Sequence, residues 1–255
     1  MKIRSSLEIY SIFRDLFLEK RDMITENFIK ENTESARQEL AEHGYAIFNR
    51  VYDENFIEKA KAMFDLPEAD DRSESVHFGS EKRIWGAEHI SPLAADFMSQ
   101  SDAFLSAILE KQYLSYSIMG QKIKQVDQEL ANNAKSRWHI DSMSSQYKIF
   151  CYLSEAGRAN GGLEFLEGTD GDYKWRLVCK NPSRFVNFKM LFNKKSSRPY
   201  ECLDSEYIER LKASYPVKTV TVPPGSILVA KTSSLIHRAR PCESGYRYSL
   251  TSYYR

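Results

Sequence analysis

The chain is 255 residues long, 42% of them hydrophobic, and it carries a formal net charge of +1. This length and composition predict one domain, residues 1–255, with a single hydrophobic core. The balanced charge argues against a protein that binds nucleic acid through a basic surface. The N-terminal region contains no uninterrupted apolar segment, and no stretch is long enough to span a membrane, which favours a cytoplasmic protein.

The four cysteines are too widely spaced to form a zinc-binding pair or a disulfide framework. They are Cys151, Cys179, Cys202 and Cys242. A reducing compartment therefore agrees with the sequence, and a small disulfide-bonded secreted fold is excluded.

Residues 1–111 are predicted to be mainly helical and to pack on the C-terminal part of the chain. Hydrophobic residues recur at helical spacing within residues 5–42. Ser35 opens a sequence of the capping-box form, and Gly44 is placed as a C-terminal stop. The remaining elements predicted here are a strand at Tyr45–Phe48, a helix at Glu54–Phe64, a loop at Pro67–Ser75 and a helix at Pro92–Lys111.

Residues 112–255 change to short strands separated by glycine and proline turns. The predicted strands are Leu114–Met119, Lys122–Leu130, Tyr147–Leu153, Leu163–Leu166, Val217–Val222, Ile227–Ala230 and Tyr246–Tyr253, with a short helix near Asp204–Ala213. Many short strands favour a β-sandwich or jelly roll over an alternating βαβ fold. We therefore predict a mainly β protein with N-terminal helices.

An irregular segment interrupts the predicted strands at about residues 171–203. Between Asp172 and Pro199 it contains eight Lys or Arg residues and one acidic residue, so its local charge is 8 − 1 = +7. An insertion at this point of a jelly roll can cover the open end as a lid, and lids often determine specificity. A lid of this charge would favour an anionic substrate, whereas a solvated basic surface is the alternative.

Three residues have the composition of an open metal site. His139 and Asp141 are separated by one residue, so on an extended backbone both side chains leave the same face. His237 follows much later in the chain. Two imidazoles and one carboxylate leave positions on Fe(II) for a co-substrate and O2, whereas a closed four-ligand set would favour structural zinc. The pattern predicts a mononuclear non-haem iron site.

The last predicted strand provides a cation for the co-substrate. Arg247 and Ser249 face the same way on this strand. A guanidinium offers a planar fork to a carboxylate and a hydroxyl adds a donor, which suits the distal carboxylate of 2-oxoglutarate. Arg238 and Arg240 are alternatives, but they lie in a predicted turn too close to the second histidine. A surface ion pair is the other interpretation of Arg247.

Further motifs surround these residues. They are Asn160-Gly161-Gly162-Leu163 between the two histidines, a turn at Glu167-Gly168-Thr169, and Pro224-Gly225-Ser226 before the apolar strand that leads to His237. With His139-Ile140-Asp141 and Arg247-Tyr248-Ser249, the chain resembles the Fe(II)/2-oxoglutarate-dependent oxygenases, specifically the phytanoyl-CoA dioxygenase-like group. The resemblance covers most of the chain from about Leu40 onward.

Two positions depart from the pattern of that group. Gly225-Ser226 stands where Gly-Asp is usual, and Gly168-Thr169-Asp170 stands where Gly-Ser-His is usual. Both are turn positions that bind no metal, so neither departure removes a ligand from the site.

The resemblance implies a double-stranded β-helix, a cupin-like jelly roll that holds the metal at its open end. It implies Fe(II) and 2-oxoglutarate as cofactor and co-substrate, O2 as the oxidant, and no catalytic residue beyond the metal ligands. The residues concerned are His139, Asp141 and His237 for the metal, and Arg247 and Ser249 for 2-oxoglutarate. By the same analogy Gln125 or Lys124 is a candidate for contact with 2-oxoglutarate.

The expected reaction is hydroxylation of a C–H bond in a small molecule, with release of succinate and CO2. Because Asp141 stands where related halogenases have a small residue that makes room for chloride, the resemblance favours a non-halogenating outcome. Desaturation, demethylation or ring closure by the same chemistry stays open, as does a non-catalytic jelly-roll protein that binds a ligand. A protein or nucleic-acid hydroxylase is disfavoured because the chain lacks a nucleic-acid-binding module. The sequence does not specify the oligomeric state.

Overall fold

The computed structural model describes residues 23–76, 79–125, 137–142, 144–170, 201–203 and 205–255. The helices are α1 Glu26–His43, α2 Glu54–Ala62, α3 Pro67–Asp71, α4 Pro92–Leu109 and α5 Ser205–Lys212, with 3-10 turns at Met63–Asp65 and Ala87–His89. The strands are β1 Tyr45–Phe48, β2 Ser73–Val76, β3 Glu81–Trp85, β4 Ser117–Lys124, β5 His139–Ile140, β6 Tyr147–Tyr152, β7 Leu163–Leu166, β8 Glu201–Cys202, β9 Val217–Thr219, β10 Ser226–Ala230, β11 His237–Ala239 and β12 Tyr246–Tyr254.

The strands form two antiparallel sheets. The large sheet has the order β1-β10-β6-β12-β4-β3-β2, and the small sheet has the order β8-β5-β11-β7-β9. From β4 to β7, successive strands alternate between the two sheets, as do β9 to β12. This is the arrangement of a double-stranded β-helix, and it confirms the predicted fold class.

Helices cover the outer face of the large sheet. Phe97 and Phe104 of α4 belong to one buried cluster with Ile118 of β4, Ile149 of β6 and Leu250 of β12. Burying a side chain of this size contributes about 1.5–3 kcal/mol, so this helix–sheet layer is a large part of the stability. The layer leaves the opposite face of the large sheet to face the small sheet.

A second cluster fills part of the space between the sheets. Tyr45 and Phe165 stack with ring centroids 4.7 Å apart, and Tyr152 and Leu228 belong to the same cluster. On the outer face of the small sheet, α5 packs Tyr207, Ile208 and Leu211 near Trp138 and Ile140. Both strands that carry the candidate metal ligands are thus held in packed layers.

Helix α1 continues through Ser35, where the capping-box sequence predicted that a helix begins. The side chain of Thr25 caps the helix by accepting a hydrogen bond from the N–H of Phe28 at 3.1 Å. Ser35 donates to the carbonyl of Asn32 within the helix, so the predicted capping box is wrong. Its Ser-x-x-Gln pattern caps a helix only where the preceding chain is extended, and here that chain is already helical. The predicted stop at Gly44 is confirmed by its left-handed φ of 78°.

The segment Pro67–Ser75, predicted as a loop, contains α3 and the start of β2. Pro67 occupies the first turn of α3, where its missing N–H is not needed. Strand β2 pairs with β3 at the edge of the large sheet, and none of its residues is fully buried. An edge strand without a buried face shows no hydrophobic alternation, so the sequence does not reveal it.

One strand, β4, replaces the two predicted around Gly120. A Cβ at Gly120 would lie 2.8 Å from Met63 Cε, so this glycine marks close packing and not a turn. The part of the second predicted strand beyond residue 125 lies outside the described residues. So do residues 5–22 of the predicted N-terminal helices and residues 171–200 of the predicted lid.

The other predicted strands agree with the structure to within a few residues, and the two long helices agree equally well. Strands β5, β8 and β11 were not predicted, because two or three residues are too few to show a period. Among the described residues, no helix has the length and apolar character that crossing a membrane requires.

Candidate metal centre

The two candidate histidine ligands are neighbours across the small sheet. His139 of β5 pairs directly with His237 of β11, and their ring centroids lie 4.4 Å apart. Asp141 follows β5, and its N–H donates to the carbonyl of Thr232 at 2.9 Å. One potential ligand atom from each of the three residues lies within 4.8 Å of the others. The structure therefore brings the three predicted residues together.

Backbone carbonyls orient both imidazole rings. The Nδ1 of His139 lies 2.7 Å from the carbonyl oxygen of Arg137, and that of His237 lies 2.9 Å from the carbonyl oxygen of Leu235. A carbonyl oxygen only accepts, so in each neutral ring Nδ1 carries the hydrogen and Nε2 keeps a lone pair. Each Nε2 lies 3.6 Å from an oxygen of Asp141. Rings held in this way are typical of metal ligands.

The protonation states also suit a cation. Burial, followed by the proximity of His139, lowers the pKa of His237 to about 3, so that its ring is neutral at neutral pH. Burial alone would raise the pKa of Asp141, but Lys148, His237 and His139 outweigh it and hold that pKa well below its ordinary value. A neutral imidazole and an ionised carboxylate are the forms that bind a metal.

Lys148 was missed in the sequence. Its Nζ lies 2.7 Å from Asp141 Oδ2, and the Lys148 side chain is 11% exposed. Its ammonium also lies 4.7 Å from the ring centroid of Tyr253. In β6 the apolar residues Ile149 and Cys151 face the helices, so Lys148 occupies the opposite face, which turns toward the small sheet. The sequence feature that could have identified Lys148 was a lysine on the inner face of a predicted strand.

The second polar group centres on Arg247, which is 2% exposed. Its Nη2 donates to Gln121 Oε1 at 2.8 Å. Among the described residues, no hydrogen-bond partner meets Arg247 Nε, Arg247 Nη1, the Tyr152 hydroxyl or the Thr251 hydroxyl. Buried polar groups are seldom left without partners, so this cluster of donors is suited to an anionic ligand.

Sheet register places these groups on one face. Ser249 lies opposite both Gln121 of β4 and Tyr152 of β6, and Thr251 lies two residues further along β12. Arg247 and Ser249, the residues predicted to bind the co-substrate, therefore share the inner face with the unpaired hydroxyls. Ser249 Oγ lies 3.5 Å from Gln121 Oε1.

The β4 residue beside Arg247 is Gln121, and neither Gln125 nor Lys124 takes that place. Lys124, the last residue of β4, and Gln125, which follows it, are exposed. Gln121 in turn donates to Glu81 Oε1 at 2.6 Å. The sequence does not give the register of β4, and in the structure the side chain next to Arg247 is therefore a different one from those predicted.

Arg238 and Arg240 lie elsewhere. Arg238 is in strand β11 and not in the predicted turn, and both guanidinium groups bind the buried carboxylate of Glu164, at 2.6 Å and 2.9 Å respectively. His43 and His89 have half-exposed or exposed side chains, and neither belongs to the group of three candidate ligands. His77 lies outside the described residues.

No protein-family model matches the chain, and no curated protein matches it by sequence. Solved structures match in fold. The epimerase SnoN, in complex with Fe3+, alpha ketoglutarate and nogalamycin RO, matches with a TM-score of 0.64 and 13% identity over 88% of this chain and 84% of SnoN. EctD from S. alaskensis matches with a TM-score of 0.61 and 14% identity over 93% of this chain and 79% of EctD.

HygX from Streptomyces hygroscopicus, with nickel and 2-oxoglutarate bound, matches with a TM-score of 0.56. Its identity is 12% over 86% of this chain and 85% of HygX. At such identities the similarity shows the fold, which this chain shares with structures that hold iron or nickel together with 2-oxoglutarate. The finer resemblance to the phytanoyl-CoA dioxygenase-like group stays a prediction.

Proposed function

We propose that this protein is an Fe(II)- and 2-oxoglutarate-dependent oxygenase that oxidises a C–H bond of a small molecule. The observation that carries the proposal is the pairing of two centres on facing sheets: a 2-His-1-carboxylate group on one side and a buried arginine with unused donors on the other. The first suits a divalent metal with open positions, and the second suits a carboxylate.

His139 and His237 would hold the metal through Nε2, and Asp141 would hold it through a carboxylate oxygen. Their hydrogen bonds to backbone carbonyls fix both rings before the metal arrives. When bound, iron with 2-oxoglutarate and O2 supplies the oxidation, and succinate and CO2 leave as products. The chain contributes position, charge and exclusion of water.

Arg247 and Ser249 would bind the distal carboxylate of 2-oxoglutarate. Gln121 fixes one side of the guanidinium, and Nε and Nη1, which have no hydrogen-bond partner among the described residues, would be left for the ligand. The hydroxyls of Tyr152 and Thr251 add two donors on the same face. A planar fork with neighbouring hydroxyls favours a carboxylate in one orientation.

The reaction after C–H cleavage is proposed by analogy alone. The solved neighbours include an epimerase, SnoN, and a carbocyclase, SnoK. SnoN and HygX were crystallised with nogalamycin RO and hygromycin B respectively, from which we infer a small-molecule substrate here. Hydroxylation stays our first choice, with desaturation, demethylation or ring closure as alternatives. A single domain over 1–255 and a lid at about 171–203 stay predictions, as does a cytoplasmic location.

The test is an anaerobic titration of Fe(II) and 2-oxoglutarate into metal-free protein, followed by the visible charge-transfer absorption of the chelate. We expect the absorption band in the wild type and no band in His237→Ala. In Arg247→Ala the band should need roughly a hundredfold more 2-oxoglutarate, since a charge-assisted bidentate contact is lost.

His89→Ala is the matched control, because that histidine is 62% exposed and does not belong to the group of three candidate ligands. It should titrate like the wild type. A folded wild-type protein that binds iron but gives no band at any 2-oxoglutarate concentration would refute the proposal and favour a non-catalytic ligand-binding protein.

A further inference from the structure

An aromatic group connects the surface to the candidate metal centre. Trp85 of β3 and Tyr116 are 37% and 49% exposed. Their ring centroids lie 5.4 Å and 5.8 Å from that of Tyr253, which is 8% exposed. Lys148 follows inward, 4.7 Å from the Tyr253 ring, and its Nζ lies 2.7 Å from Asp141. Exposed rings thus lead in contact steps to a metal-ligand carboxylate.

The position of this group separates it from the co-substrate residues. Along β12, Tyr253 is six residues from Arg247, and alternate residues keep both on the inner face. The distance along the strand is therefore about 20 Å at 3.3–3.4 Å per residue. A co-substrate held by Arg247 leaves the Tyr253 end of the inner face for another molecule.

The charges around the centre favour an anion at that end. A divalent metal, Lys148 and Arg247 would contribute four positive charges, and Asp141 with 2-oxoglutarate would contribute three negative charges. Arg83 pairs with both Glu81 and Glu74, and Arg255 lies 5.1 Å from the Tyr116 ring centroid, so these two cations and two carboxylates cancel. Among the described residues these groups leave one positive charge, which an anionic ligand would compensate.

Lys148 is the group positioned to meet that anion. Its ion pair within the described part of the chain is with Asp141, whose charge a bound metal would share. An ammonium has three donors, so the contact with Asp141 leaves others for a second acceptor. An aromatic ring beside it favours a ligand whose apolar part can stack.

We propose that Lys148 anchors the primary substrate, and that this substrate carries one carboxylate or comparable anionic group next to a flat apolar part that packs against Tyr253, Trp85 and Tyr116. The inference rests on the proposed oxygenase function and names the substrate class for it. Lys148 would fix the anionic group, and thereby determine which C–H bond of the substrate lies nearest the metal.

The test uses the full chain loaded with Ni(II) in place of iron and with 2-oxoglutarate, so that no turnover occurs. Calorimetric titrations compare arylalkanoates from benzoate to 4-phenylbutanoate with the corresponding primary amides. For the best acid of the series, we expect binding about tenfold or more tighter than for its amide, the range of one charge-assisted hydrogen bond.

Variants separate the anion contact from general effects. Lys148→Met should abolish the preference for acid over amide, and Lys148→Arg should retain it because the charge is kept. Trp85→Ala should weaken acid and amide by the same factor. Lys122→Met is the matched control: Lys122 lies 5.2 Å over the Tyr248 ring on the other face of the large sheet, and the preference should not change.

The outcomes distinguish this inference from the function on which it rests. If Ni(II) and 2-oxoglutarate fail to bind the folded protein, the proposed function fails. If both bind but the acids bind no better than their amides, or no member of the series binds, the substrate inference alone fails. A preference that survives in Lys148→Met would assign the lysine to positioning Asp141 and would also overturn the inference.

Discussion

Lys148 Nζ lies 2.7 Å from Asp141 Oδ2, so one buried carboxylate faces two imidazoles and an ammonium at once. The ion pair joins the two sheets, because Lys148 is in β6 of the large sheet and Asp141 follows β5 of the small sheet. It therefore links the two sheets at the candidate metal centre. Removing either partner leaves the other charge buried.

We expect a strong coupling between these two residues in the metal-free protein. Asp141→Asn and Lys148→Met should each lower the free energy of unfolding by about 3–5 kcal/mol, because each leaves a buried charge unpaired. The double variant should be more stable than the sum of the two losses predicts, by at least about 1 kcal/mol. Urea denaturation of the four proteins measures this coupling.

The exposed pair Lys61–Glu58 on α2 provides the matched cycle. Its atoms lie 2.9 Å apart, but the Glu58 side chain is 64% exposed. Its coupling should be within about 0.5 kcal/mol, as for other exposed pairs. Equal coupling in the two cycles would show that the Asp141–Lys148 contact does not hold the sheets together.

Gln121 is expected to act through Arg247. In Gln121→Leu the acceptor of Arg247 Nη2 is lost, so the guanidinium can turn away from the co-substrate. The 2-oxoglutarate concentration for half-saturation of the charge-transfer band should rise about tenfold, the value of one hydrogen bond to a charged group. Gln125→Leu, at the exposed position that follows the same strand, should have no effect, and an equal rise in both variants would contradict the structural assignment.

The grouping of the three candidate metal ligands could be predicted from the sequence because their signal is local. Two candidate ligands separated by one residue on extended backbone, with a second histidine before the terminal strand, need no knowledge of register. The side chains that surround the ligands depend on how strands pair. Gln121 and Lys148 enter the site because β4 and β6 flank β12, and no pattern in the chain specifies that order.

In the fold, too, the elements with a local sequence signal could be predicted, and those that depend on strand pairing could not. The long helices and the apolar strands of the large sheet carry enough residues for a period to emerge, and their predictions were confirmed. The hairpin of β2 and β3 was missed because its edge strand has no buried face. The two-residue strand β5 exists because its neighbours β8 and β11 pair with it, which is a tertiary effect.

Gly44 is expected to tolerate no side chain. Its φ is 78°, and a Cβ would lie 2.6 Å from Asp170 Cβ, in the turn that leads away from β7. Gly44→Ala combines left-handed strain with this clash and should destabilise the protein by about 2–3 kcal/mol. Gly245→Ala isolates the strain, since its φ is 67° and no atom lies within 4 Å of the added Cβ. Gly245→Ala should lose about 1 kcal/mol of unfolding free energy, measured by urea denaturation. If both variants lose the same amount, the turn at Asp170 moves to accommodate the added Cβ.

Glu164 should give the stability an acid-dependent component. Burial opposes ionisation, but Arg240 and Arg238 outweigh it and lower the pKa of the carboxyl from its ordinary value of 4.5. A group whose pKa is lower in the folded state stabilises the fold above its unfolded pKa, and this contribution is lost as the pH falls through the folded pKa.

Glu164→Gln should therefore be destabilised at pH 7 by about 2–4 kcal/mol, because two arginines lose their buried counter-ion. The difference from the wild type should shrink as the pH is lowered below 4.5. Urea midpoints measured from pH 7 down to pH 3 give both quantities. Glu243→Gln is the control, since its half-exposed carboxylate contacts Arg240 at the surface, and its effect should be small. A Glu164→Gln difference that is constant across this range would mean that the two arginines do not depend on the charge of Glu164.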